Sequence, residues 1–288
     1  MNEFRLTEKE QAARKRVCLP LDNLETLSDL TARVEKLSPV VGLFKIGFES
    51  FTRFGPDAIK AVQSYGSQVF LDLKYHDIPN TVQGAARAAT SHGVYMFNVH
   101  ASGGLKMMEV AVKGVDEAVE KYGIERPKVI GVTVLTSFDE ANYLQTFQPL
   151  NPRLREIDFS QYTNMKKDDE ELREQFRAIL RDHGLEGVIG KQVLHLAQLA
   201  HTARLDGIVC SAADLAAVKP YIPEGFMYVT PGVEGPITKA GADQARVFSP
   251  GNALLAGSTI LVVGRAITNA EDQVLAGYQI LQDMAKRM

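Results

Sequence analysis

Cysteine is scarce in this chain of 288 residues, with only Cys18 and Cys210 present. Each falls in a run that reads as a buried strand, so no disulfide framework is expected and both should be reduced core residues. Cysteine spacing gives no metal site, and the six histidines include no pair at helical ligand spacing beside a third ligand. An excess of charge of one sign is also missing. The 32 Lys and Arg against 35 Asp and Glu leave a net charge of -3. That balance argues against a general nucleic-acid or anionic-membrane binder, and any anion pocket must be built from a few placed donors. Long apolar runs are absent as well. The first twenty residues, MNEFRLTEKEQAARKRVCLP, are too charge-rich for a signal peptide, and no later segment reaches the length of a membrane span. These absences predict a cytoplasmic protein. Its length suffices for one large α/β domain, residues 1 to 288, with a substantial core.

The most informative segment is DLKYHDIPNTV, residues 72 to 82. Gln68, Val69, Phe70 and Leu71 before it read as a buried strand, so period-two alternation puts Asp72 and Lys74 on one side. Asp77 follows in the next turn, which predicts an ammonium held between carboxylates. Pro79 favours a turn before it, and Asn80 and Thr81 offer capping oxygens for a helix running to about His92 and stopped by Gly93. Ionised groups this close are costly to desolvate unless paired, and such clusters tend to mark chemistry. The Asp-x-Lys-x-x-Asp spacing alone fits a structural salt-bridge network equally well.

Eight short apolar runs recur along the chain: VCLPLD (17 to 22), GLFKIG (42 to 47), QVFLDLK (68 to 74), YMFNVHA (95 to 101), KVIGVTVLT (128 to 136), GIVCSA (207 to 212), FMYVTPG (226 to 232) and TILVVGR (259 to 265). Most are separated by helical periodicity, as in LETLSDLTARVEKL between the first two. Eight strand-helix units predict a TIM (β/α)8 barrel, whose active site lies at the C-terminal strand ends. The polar residues closing the runs are then candidates together: Asp22, Lys45, Asp72, Lys74, His100, Thr136, Ser137, the Pro231-Gly232 turn, Gly264 and Arg265. Arg265, closing the last run, offers a fork of donors for a phosphate. Asp22 fits a helix cap as well as a ligand contact. Lys45 sits in an apolar strand and requires a partner or ligand. His100 is ambiguous, because a strand-end histidine often satisfies a backbone group.

The DLKYHDIPNTV string, with its IPNTV extension, resembles the orotidine 5'-monophosphate decarboxylase family, and the likeness runs from Val17 to about Asp272 apart from one insertion. The resemblance implies decarboxylation of orotidine 5'-monophosphate to uridine 5'-monophosphate in pyrimidine biosynthesis, with no metal or organic cofactor. It implies that Lys74 is the catalytic acid, held and flanked by Asp72 and Asp77. Asp22 and Lys45 are implied to contact the ribose hydroxyls, and Thr81 to reach the ribose of a neighbouring subunit in a homodimer with shared sites. Thr136 falls near the pyrimidine beside Ser137. Gln244, Gly264 and Arg265 fall at the phosphate end. Glu234 departs from the family pattern in the loop TPGVEGPITKAGADQARV, so the phosphate grip is expected to rest on backbone amides, Gln244, Arg265 and Lys239. The metal-dependent 3-keto-gulonate 6-phosphate decarboxylases share the Asp-x-Lys-x-x-Asp spacing, but they carry an acidic metal ligand where this chain has Lys45.

One stretch breaks the rhythm, from about 138 to 190, far beyond the usual length of a βα loop. It is read as an insertion with one helix at about 168 to 182, leaving a strand on the active-site face, as a surface subdomain in the first instance and a lid or an oligomer contact as the alternatives. A helix is expected after it, over VLHLAQLAHTARL.

Overall fold

All eight apolar runs become strands: β1 (Val17–Pro20), β2 (Leu43–Gly47), β3 (Gln68–Tyr75), β4 (Met96–His100), β5 (Lys128–Val132), β6 (Gly207–Val209), β7 (Met227–Pro231) and β8 (Ile260–Val262). The computed structural model describes residues 5–147, 157–163, 165, 169–233 and 248–288. Neighbouring strands pair in parallel in chain order, and β8 closes on β1 through Val17 opposite Leu261 and Cys18 opposite Val262. The architecture is a closed (β/α)8 barrel.

Period-two alternation explains why these sequences close into a barrel. Cys18, Leu43, Phe70, Met96, Ile130, Val229 and Ile260, drawn from seven of the strands, form one buried cluster. Their alternates, including Leu19, Phe44, Leu71, Phe97 and Ile208, join a second cluster with helix residues. The first set fills the barrel and the second packs outward, as a (β/α)8 core requires. The helix Leu27–Leu37 shows the outer layer in miniature. Its buried residues Leu30, Val34 and Leu37 recur at four and three residues, and Thr26 and Asp29 cap it reciprocally. At the N-terminal mouth, Asp206 accepts two bonds from Arg126 at 3.0 and 2.9 Å and one from the Val129 N–H at 2.9 Å, tying β5 to β6.

Several local expectations are revised. The helix Pro79–Ser91 begins with Pro79 and has Ile78 at its N-cap with no side-chain cap, so Asn80 and Thr81 lie inside the first turn. The cap before Leu27 is Thr26, so Asp22 is free of that duty. The helix after the insertion spans Val188–Thr202, beginning before the expected VLHL, because Gly187 takes a left-handed turn and Gly190 is absorbed into the first turns. An N-terminal helix, Glu8–Arg14, was not anticipated. Thr7 and Glu10 form its capping box.

The insertion is more structured than one helix. Besides the expected helix, which spans Glu170–Asp182, it contains a helix at Glu140–Phe147 and a 3-10 turn at Phe159–Tyr162. Ala141, Leu144, Phe159, Tyr162, Phe176 and Leu180 form a buried cluster separate from the two barrel clusters. Tyr162 stacks on Phe176 with centroids 5.1 Å apart. Among the described residues, no helix is long and apolar enough to cross a membrane.

Candidate active site

Four charged side chains form a continuous chain across the C-terminal ends of β1, β2 and β3. The Lys45 ammonium lies 3.5 Å from Asp22 Oδ2 and 3.2 Å from Asp72 Oδ2. Asp72 Oδ1 in turn accepts from Lys74 Nζ at 2.7 Å. Lys45 and Asp72 in the middle of the row are nearly buried, with side chains 13% and 10% exposed, whereas the two ends, Asp22 and Lys74, are 39% and 26% exposed. Charges therefore alternate in sign along the row, and each buried one is paired. Burial opposes the Lys45 charge, but the Asp72 and Asp22 carboxylates outweigh it and raise its pKa above the ordinary lysine value. Gly47 closes β2 beneath this row. A Cβ there would meet Lys45 Nζ at 2.9 Å and Asp22 Oδ1 at 3.2 Å, so a side chain at that position would displace the pair.

Asp72 and Lys74 are neighbours, but a simple strand does not make them so. Leu71 pairs with Phe97 and Tyr75 with Val99, so β3 advances four residues while β4 advances two. Asp72, Leu73 and Lys74 thus stand opposite the single residue Asn98 in an irregular bulge. Lys74 has φ +42, a left-handed conformation that a residue with a Cβ seldom adopts. Asn98 is fully buried and fills the gap in the ladder. Its Oδ1 accepts the Lys74 backbone N–H at 2.7 Å, and its Nδ2 donates to Asp72 Oδ1 at 2.7 Å. A carboxylate accepts and an N–H donates, so these partners fix the amide orientation. Sequence reasoning passed over Asn98, although an amide inside the apolar run MFNVH was a readable signal. It also passed over Phe48, which is 58% exposed with the Lys74 ammonium 5.6 Å from its ring centroid.

The other expected residues are arranged less tightly. Asp77 is exposed, and its carboxylate accepts the Ile78 N–H at 2.6 Å. Among the described residues no ion pair joins it to Lys74, whose ion pair within one chain is with Asp72. Thr81 is exposed in the first turn of the helix Pro79–Ser91. Thr136 and Ser137 are exposed beyond the end of β5. Gly264 precedes the short helix Arg265–Thr268 after β8, with Arg265 exposed. Glu234, Lys239 and Gln244 lie outside the described residues. His100 ends β4 with its ring 5.4 Å from that of His76. Burial, then His76 and Lys74, lower its pKa.

The barrel with its charged row at the mouth of β1, β2 and β3 agrees with what the chain matches. The model of the orotidine 5'-phosphate decarboxylase / HUMPS family matches residues 15–157 and 171–280. The chain belongs to this family. It is 37% identical over 280 residues to the orotidine 5'-phosphate decarboxylase of Syntrophus aciditrophicus, covering 97% of both chains. It is 39% identical over 254 residues to that of Vibrio cholerae, covering 88% of this chain and 90% of the relative. The crystal structure of the Lactobacillus acidophilus orotidine 5'-phosphate decarboxylase superposes with a TM-score of 0.69 at 30% identity, over 93% of this chain and 98% of that one. The family match skips 158–170, inside the insertion, so this stretch departs from the common pattern of the family.

Proposed function

We propose that this chain converts orotidine 5'-monophosphate to uridine 5'-monophosphate and CO2 in pyrimidine biosynthesis, with Lys74 as the acid that protonates C6. The observation that carries the mechanism is the row Asp22, Lys45, Asp72, Lys74, in which Lys74 is the more accessible of the two ammonium groups and is held by a nearly buried carboxylate. When the C6–carboxylate bond breaks, its electron pair stays in an in-plane orbital at C6 that the ring π-system does not delocalise. A fixed positive charge beside that carbon is the available stabilisation, and it is strong in a partly desolvated site. Lys74 supplies the charge and then a proton, which leaves Nζ and forms the new C6–H bond. Asp72 fixes the ammonium at 2.7 Å and Lys45 fixes Asp72 from its other oxygen.

Asp22 and Lys45 are placed in this reading on the ribose hydroxyls, and Gly264 and Arg265 on the phosphate, with Gln244 as a further phosphate contact. Thr136 and Ser137 face the base. Asp77 and Thr81 belong to a site completed by a second copy of the chain. That assignment is supported by their exposure and by Ile78 between them, a large apolar side chain 67% exposed. The protein is read as a homodimer acting in the cytoplasm on a small-molecule substrate.

A metal-dependent member of the wider family would need an acidic ligand and a free space between carboxylates. Here the Lys45 ammonium occupies the space between Asp22 and Asp72, and it would repel a divalent ion. The test is the ultraviolet absorbance change of orotidine 5'-monophosphate with purified protein in EDTA. Turnover should persist. Loss of turnover on chelation, restored by magnesium, would move the chain to the metal-dependent chemistry.

A further inference from the structure

We infer that Asn98 is a positioning residue for this decarboxylation: its buried side-chain amide holds the Lys74 backbone in its left-handed conformation and simultaneously fixes the Asp72 carboxylate that orients the Lys74 ammonium. The inference rests on the proposed reaction and concerns a residue outside the row of charges.

The bulge creates the need for such a residue. With three residues of β3 opposite one of β4, the Lys74 N–H cannot find a regular strand partner. A buried donor without a partner would cost about 1 to 3 kcal/mol. A left-handed lysine adds a cost of the same order. The Asn98 Oδ1 satisfies that N–H, and one rigid amide away its Nδ2 reaches Asp72 Oδ1, the same oxygen that receives Lys74 Nζ. The amide is thus a clamp between the main chain and the side-chain end of the same lysine. Its own freedom is removed by complete burial. Serine or alanine cannot span the two contacts, and a carboxylate has the right shape with the wrong charge.

That last point provides a test that simple packing damage would not reproduce. In Asn98→Asp the new carboxyl faces Asp72 and Lys74 from β3, with Lys45 of β2 beyond Asp72 and His100 on its own strand. Its β5 partner, Ile130, is apolar. Burial and the Asp72 charge push the new carboxyl pKa up. When protonated it mimics the amide, donating to Asp72 and accepting from the Lys74 N–H. When ionised it repels Asp72 and gives it no donor.

We therefore expect Asn98→Asp to lower kcat about 100-fold at about pH 8, with KM for orotidine 5'-monophosphate within about threefold of the parent. Its kcat relative to the parent should climb steadily as pH is lowered to about 5.5. Asn98→Ala should lose a similar factor with a ratio to the parent that does not vary with pH. Equal, pH-independent losses in both folded variants would reduce Asn98 to a packing residue. A raised KM with unchanged kcat, or kcat within twofold of the parent in both, would also overturn the inference. If Asn98→Asp does not fold, Asn98→Ser carries the test. Unchanged affinity for uridine 5'-monophosphate with a kcat about 10- to 100-fold down supports the clamp, and weakened affinity with kcat retained refutes it. An inactive parent protein would instead refute the proposed reaction itself.

Discussion

Lys45 is an ammonium in a place where burial works against its charge, and two carboxylates outweigh that effect. Removing it should be costly because Asp72 would remain nearly buried with one oxygen unpaired. Lys45→Met is expected to lose about 3 kcal/mol of stability at neutral pH, the usual scale for removing one partner of a buried pair. The folded-state pKa of Lys45 lies above its unfolded value, so its stabilisation is fully present below about pH 10.4 and disappears as pH rises through the folded pKa. Urea unfolding of parent and variant should show the gap constant from neutral pH upward and then shrinking in strong alkali. A gap that stays constant through that alkaline range would mean that the methionine variant suffers from packing and not from lost charge. At this scale the sequence was readable for charges and poor for their supports. An ionisable residue in an apolar run advertises its need for a partner, as Lys45 did. The left-handed φ of Lys74 leaves no trace in residue type, since lysine is not a residue that favours it.

The elements of the barrel were legible because each strand carries its own alternation, a local signal that needs no partner to be read. The bulge in β3 was not, because register belongs to two strands at once and is fixed by what β4 offers opposite. The insertion shows the same limit. Its helix Glu170–Asp182 has a charged face, with Arg177 paired to Glu170 and Glu174, and it was readable from sequence. The helix Glu140–Phe147 is short and is supported by aromatic residues far along the chain, so little in its own eight residues announces it. Because the insertion has a core of its own and holds none of the proposed site residues, replacing residues 140 to 186 with a short Gly-Ser linker should leave a folded enzyme. Its kcat/KM is expected within about tenfold of the full chain, a change of about 1.4 kcal/mol or less. A soluble, folded deletion variant without turnover would identify the insertion as a lid over the strand ends from which it leaves.

At the scale of the whole molecule, the exposed segment from Asp77 to Thr81 lies beside a charged row that is otherwise closed within one chain. A second copy that brings this segment to Lys74 would give each site a lysine from one protomer and an aspartate from the other. The arrangement predicts rescue between two inactive variants. Lys74→Ala and Asp77→Ala should each be inactive as homodimers. In a mixed dimer one site collects both lesions and the other collects neither, so half the sites of every mixed dimer regain the full set of charges. Random exchange makes about half of all dimers mixed, and the expected recovery is about a quarter of parental activity per site. Mixing the purified variants, allowing exchange, and following absorbance of orotidine 5'-monophosphate measures it directly, with exchange itself verified by a mass tag on one variant. Activity that stays at the level of the separate variants, in dimers shown to be mixed, would return Asp77 to the site of its own chain. Because no ion pair joins Asp77 to Lys74 within one chain among the described residues, the segment after β3 would then have to rearrange within the protomer.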